Sequence, residues 1–172
     1  MQLIWFRQDL RIHDHVALWH AQQQGQCIAL VILSLEQWQK HHDAHVKIDF
    51  YLRQLQSLKS QLDAHNIPLI CLSIPLWKDI PTQLLKLCKT HHIQTLHCNA
   101  EFAVNEQHRD AQVQNLLEQY GIDFKQYQDR TLFPIGSIRN QSGQPYQVFG
   151  AFKKQCYDRL SISLPTCYPV IE

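Results

Sequence analysis

The chain has 172 residues, of which 45% are hydrophobic and 18% charged, and its net charge is +1. That length suits one domain with a sizeable core. No apolar run approaches the roughly 20 residues of a membrane span, no secretory leader opens the chain, and no block of like charge marks a binder of duplex DNA, so a soluble cytoplasmic protein is expected.

The first predicted element is a short strand over residues 3–6, Leu-Ile-Trp-Phe, apolar without alternation as in a parallel strand buried on both faces. It stops at Arg7-Gln8-Asp9, and charges arriving there lie where open α/β sheets place their ligands. Asp14 is placed to cap a helix running from about residue 15 to 24. Gly25 marks a turn before a second buried strand over 27–33, and residues 34–42 read as a loop. A long amphipathic helix over 44–64 follows, with Ile48, Tyr51, Leu52, Leu55, Leu58 and Leu62 in one stripe.

Asn66 and Pro68 end that helix, and residues 69–74 form the third strand. Pro75 and Pro81 bracket a loop before a helix carrying Leu84, Leu85, Leu87 and Cys88. A shorter, more polar fourth strand spans 95–99. A helix over 105–120 carries Val113, Leu116, Leu117 and Tyr120 inward and stops at Gly121, and a fifth strand spans 122–127. Five strand–helix alternations with short connections predict a doubly wound α/β fold: a five-stranded parallel sheet, order 3-2-1-4-5, with helices on both faces, Rossmann-like. From Asp129 the rhythm breaks into turn-rich sequence, ending in a helix-like stretch over 148–160.

The six cysteines are scattered without a CxxC pair, three of them (Cys27, Cys71, Cys98) inside strand-like runs, and read as reduced thiols. Neither GxGxxG nor GxxxxGK[ST] occurs, which disfavours the usual NAD or ATP enzyme. No Ser-His-Asp or Cys-His pair can be assigned. His41, His42 and His45 include one pair a helical turn apart, but no third or fourth metal ligand is predicted nearby. The other histidines, His15 and His97 among them, read as surface composition. Arg7, Asp9 and Arg11 are expected to form a charged network at the sheet's carboxyl edge, by structural pairing or by docking a further domain or a ligand's tail.

Asn105 and Glu106 follow the fourth strand. A carboxylate offers two acceptor oxygens to the paired N–H donors of a pterin- or guanine-like edge, and an adjacent amide supplies a donor and an acceptor. The same residues also suit a plain helix start, Asn as N-cap and Glu in the first turn.

The run Trp5-Phe6-Arg7-Gln8-Asp9-Leu10-Arg11-Ile12-His13-Asp14, followed by Ala17-Leu18, resembles the opening signature of the DNA photolyase/cryptochrome family, and most closely its folate-using photolyases. Trp5, Arg7, Asp9, Arg11 and Asp14 carry the pattern. Gly143-Gln144-Pro145-Tyr146-Gln147-Val148-Phe149 is similar to the family's Gly-x-x-Tyr-x-Val-Phe linker. The chain departs from it just beyond: Gly150-Ala151 stands where many members have Thr-Pro, and Cys156 where a Trp is common.

The resemblance implies an antenna-chromophore domain over 1–130 and an interdomain linker with the start of a helix over 131–172. It also carries the expectation that the C-terminal FAD domain is absent, through excision or a truncated gene. It implies methenyltetrahydrofolate as antenna pigment, held by Asn105, Glu106 and His41, the last in the loop after the second strand, where an exposed loop histidine is the equal alternative. FAD, and the damaged DNA whose cyclobutane pyrimidine dimers the intact lyase would split with light, belong to the missing helical domain, so the chain alone is expected to repair nothing. Phe149, Phe152 and Tyr157 are expected to be exposed or buried in a dimer. A cryptochrome-type photoreceptor domain and a stand-alone nucleotide- or flavin-binding module are the alternatives, the second disfavoured by residues 5–11.

Overall fold

The computed structural model describes residues 1–169. Five strands, β1 (Gln2–Phe6), β2 (Cys27–Leu33), β3 (Leu69–Ser73), β4 (Thr95–Asn99) and β5 (Asp123–Tyr127), pair in parallel in the order β3-β2-β1-β4-β5. Six helices accompany them: α1 (Val16–Gln22), α2 (Leu35–Lys40), α3 (His45–Ala64), α4 (Ile80–Thr90), α5 (Val104–Gln119) and α6 (Phe149–Ile162). The expected strand order is the one observed. Among the described residues no helix is long and apolar enough to cross a membrane.

β1 is buried along its whole length because both its faces are covered. Side chains alternate across a strand, so Leu3 and Trp5 join Leu30, Leu84, Leu96, Val113 and Leu117 under α4 and α5. Ile4 and Phe6 join Val31, Leu18, Leu58 and Leu62 under α1 and α3. Each core closes by apolar burial, at about 2 kcal/mol per large side chain.

Several expectations need correction. Residues 35–40 form α2 rather than loop; the segment is one and a half turns long, too short for periodicity to declare itself. The cap of α1 is His15, whose Nδ1 accepts the N–H of Leu18 at 3.0 Å. Asp14 sits at φ +46° and instead accepts the backbone N–H of Tyr168 at 2.8 Å. Pro81 does not bracket the loop but lies in the first turn of α4, where its missing N–H costs nothing. Lastly, the apolar stripe of α3 is buried only at Leu55, Leu58 and Leu62. The helix spans roughly 30 Å against roughly 17 Å of strand, so its N-terminal half, with Ile48 and Tyr51, overhangs the carboxyl edge of the sheet.

β3 is an edge strand, which leaves Cys71 exposed, while Cys98 on β4 is fully buried. Gly121, at φ +71°, follows the end of α5 as expected, but Tyr120, expected to face inward, lies just past the helix and is exposed. α6 has no buried residue and lies against the stretch 131–138, where Arg159 donates to the carbonyl of Ser137 at 2.9 Å.

Candidate functional site

The overhang of α3 makes one wall of a cleft of about 490 Å³ at the carboxyl ends of β1 and β2. The other walls come from α2, the turn at Trp77 and the first turns of α5. Its sides are aromatic. Trp38 of α2 meets Tyr51 of α3 edge-on, with ring centroids 5.6 Å apart, and His41 meets Trp77 edge-on at 5.4 Å. The Arg109 guanidinium lies between Trp5 and Trp77, 4.8 Å from each centroid, a partly desolvated cation–π sandwich.

Beneath and beside the cleft is a charge network at the sheet edge. Arg7 donates to Asp110 at 2.6 Å and to the carbonyl of Asn99. Arg109 grips Asp110 at 2.7 Å and Glu101 at 2.9 Å, and Arg130 takes the other oxygen of Glu101 at 2.9 Å. Arg11 binds both oxygens of Asp129 at 2.8 Å. Asn99 is the junction: its Oδ1 accepts the N–H of Ala17, and its amide donates to Asp9 and to Asp129.

His15 completes the set. Its Nδ1 is occupied as a helix-cap acceptor, so the proton sits on Nε2, 3.0 Å from Asp9 Oδ2. Burial alone would raise the Asp9 carboxyl, but His15 and the N–H of Arg7 outweigh it and hold the group well below the usual carboxylate range. Burial, with Asp9 and Glu101 nearby, pushes the Tyr51 phenol above its ordinary value. Burial also pushes the Cys98 thiol up to about 12, so neither residue is an anion or nucleophile at neutral pH.

The family model described as DNA photolyase matches residues 2–170. This chain belongs to the DNA photolyase family. It is 37% identical over 170 residues to a deoxyribodipyrimidine photo-lyase of Buchnera aphidicola from Acyrthosiphon pisum, covering 98% of this chain and 35% of that protein. The chain spans about a third of the length of the curated relatives it matches. Its fold is that of a Synechocystis cryptochrome, with TM-score 0.82 and 22% identity over 99% of this chain and 35% of the other. It is also that of an archaeal photolyase from Sulfolobus tokodaii, with TM-score 0.75 and 22% identity over 96% and 36%. That structure is described as holding two FAD molecules, with implication of a novel light-harvesting cofactor.

Every charged residue of the photolyase-type opening run has a partner in this fold. Arg7 and Asp9 are in the buried network, Arg11 ties the first loop to Asp129 after β5, and Asp14 ties it to Tyr168, while Trp5 floors the cleft. Of the three residues expected to hold a ligand, His41 and Glu106 both line the cleft. His41 is exposed, with its Nε2 2.9 Å from the side-chain amide nitrogen of Gln37. Asn105 is exposed and not among the lining residues, and it is not the N-cap either, a position held by Ala103.

His15 and His97 are fully buried rather than surface residues. Sequence reading also missed Glu101, Arg109, Asp110 and Trp77. A trace of two was present: Arg109 and Asp110 fall on the same helical stripe as Val113 and Leu117, and a charge on a buried stripe calls for a partner.

Proposed function

We propose that this chain is the light-gathering domain of a deoxyribodipyrimidine photolyase and that the cleft holds its antenna pigment, methenyltetrahydrofolate. Residues 1–130 would form the antenna domain and 131–172 the linker to a helical FAD domain, where damaged DNA is bound and repaired. The relatives bearing the photo-lyase name are about three times as long as this chain; repair is therefore a property of the longer protein, and the chain alone mixed with dimer-containing DNA, reduced FAD and light leaves the dimers intact.

One observation carries the antenna reading. Four carboxylates line the cleft: Asp9, Asp43, Glu101 and Glu106. Asp9 is held by His15, Asp43 by Lys47, and Glu101 by Arg109 and Arg130. Glu106 alone has no hydrogen bond or ion pair among the described residues, although it is half-buried. An uncommitted carboxylate between aromatic walls suits a flat heterocycle with an amidine N–H edge, such as a pterin, and the cleft volume is within the usual range for small-molecule sites. Bound there, the pigment supplies absorption of near-ultraviolet light. The protein's part would be to orient the ring: Glu106 would accept from its N–H edge, and Trp38, Trp77 and His41 would flank it.

Fluorescence titration of the purified chain with 5,10-methenyltetrahydrofolate tests this. Saturable binding is expected, weakened about tenfold or more in Glu106→Gln, the loss of a hydrogen bond to a charged group. Binding that is indifferent to Glu106, or no binding, removes the assignment.

A further inference from the structure

We infer that the cleft is selective for pigments without a phosphate, so that it takes a pteridine and rejects flavin nucleotides such as FMN and FAD. The inference rests on the antenna reading of the same cleft and adds the basis of its selectivity.

A doubly wound sheet ordinarily receives a nucleotide phosphate at the switch point after its first strand, on the free N–H groups that open the following helix. Here the switch point lies between β1 and β4, where the strand order reverses, and the chain has filled it with its own acceptors. The N–H of Arg7 is given to Asp9 at 2.8 Å, that of Ala17 to Asn99 Oδ1 at 3.0 Å, and that of Leu18 to His15 Nδ1 at 3.0 Å. Two carboxylates, Asp9 and Asp129, stand beside these donors on the amide of Asn99. A phosphate arriving there meets satisfied donors and negative charge.

The buried cations of the cleft, Arg7 and Arg109, are already engaged, and the more exposed Arg11 and Lys47 each face a carboxylate of their own. Arg7, Arg11, Lys47 and Arg109 line the cleft, and each is paired: Arg7 with Asp110, Arg11 with Asp129, Lys47 with Asp43, and Arg109 with Glu101 and Asp110. Among the described residues, Nε of Arg7 is the one buried side-chain donor of the lining without a hydrogen bond, and a carboxylate, Glu101, already stands 3.5 Å from it. Turning Arg7 or Arg109 toward a ligand would strand buried carboxylates, which costs several kcal/mol. The uncommitted charge left in the cleft is Glu106, which attracts N–H edges and repels phosphate.

Riboflavin and FMN differ only by that phosphate, so the pair isolates the effect. The purified chain is titrated with 5,10-methenyltetrahydrofolate, riboflavin and FMN at about pH 8, above the range where an ordinary histidine adds positive charge. The folate is expected to saturate, and FMN to bind about tenfold or more weakly than riboflavin, or not at all, since like charges are brought together in a desolvated site. Glu106→Gln should bring the riboflavin-to-FMN ratio toward one, and Glu106→Lys should invert it, shifts that a merely structural role would not produce. FMN binding as tightly as riboflavin, with folate still bound, overturns the selectivity and spares the antenna reading. Failure of all three ligands overturns both.

Discussion

The side-chain amide of Asn99, at the end of β4, donates to the Asp9 carboxylate at 2.8 Å across 90 positions of sequence. The same nitrogen donates to Asp129 at 2.8 Å, and Oδ1 accepts from Ala17 at 3.0 Å. One neutral residue therefore joins the loop after β1, the start of α1 and the exit from β5, and keeps two carboxylates from facing each other unscreened.

Asn99→Ala is expected to destabilise the fold by about 2–4 kcal/mol, since it leaves buried acceptors and a helix N–H without partners. Asn99→Asp should cost more, adding a third carboxylate beside Asp9 and Asp129. Urea unfolding measures both, as a fall in midpoint at constant slope. A midpoint unchanged in Asn99→Ala would show that water replaces the amide freely.

Arg109 does two things at once: it pairs with Glu101 and Asp110, and it fills the space between Trp5 and Trp77. Arg109→Met keeps the bulk and removes the charge, so the two carboxylates must share Arg7, Arg130 and Gln126. The expected loss is about 3–5 kcal/mol. Tryptophan emission should also shift, because two indole faces lose a cation, and emission identical to the parent's would place Arg109 outside the sandwich.

His97 governs the acid side of the stability profile. It is fully buried on β4, with Nε2 3.0 Å from Gln2 Oε1 and Nδ1 2.9 Å from the Tyr127 hydroxyl. An amide oxygen on one nitrogen and a phenol donating to the other fix the neutral ring. Burial, then the charges of Lys125 and His20, push it down from 6.5 to about 4. Between those values the unfolded chain binds a proton that the folded chain refuses, so stability is full above 6.5 and falls as pH drops toward 4. The loss totals about 3 kcal/mol. Asp9 acts in a lower window: its stabilisation is present above its ordinary value of 3.8 and is lost only as pH falls beneath it. Urea midpoints taken across this range should show the first decline in the parent and a flattened one in His97→Gln; an unaltered profile in the variant would assign the decline to other groups.

The sheet was legible because its signal is local. An unbroken apolar run such as residues 3–6 has one physical home, between two layers, and strands that alternate with helices leave few topologies. The charge network was not legible, because its pairs join residues about a hundred positions apart: Arg7 with Asp110, Arg11 with Asp129. No periodicity encodes such a contact. His15 shows the same limit at short range: Asp14 is the cap the sequence suggests, and the role falls to His15 because its ring is buried against Phe6, 4.7 Å between centroids, while Asp14 turns outward. The cleft was half legible. Glu106 and His41 could be named from a motif, but the aromatic walls depend on how far α3 overhangs the sheet.

The exposed face of α6 makes the last prediction. Phe149, Phe152 and Tyr157 are 73%, 37% and 62% exposed on α6, and with Leu132 and Ile135 they line an apolar groove of about 590 Å³. Apolar surface gathered in one patch is driven to leave water, by about 25 cal/mol for each Å² covered. If the helical FAD domain of a longer protein covers this face, the isolated chain must cover it by self-association. Sedimentation of the chain across a concentration series is expected to show a monomer–dimer equilibrium. Tyr157→Lys and Phe149→Ser, on a helix with no buried residue, should shift it to monomer without lowering the unfolding midpoint. A chain that stays monomeric throughout, or variants that dimerise as the parent does, would show that this face is not the one being covered.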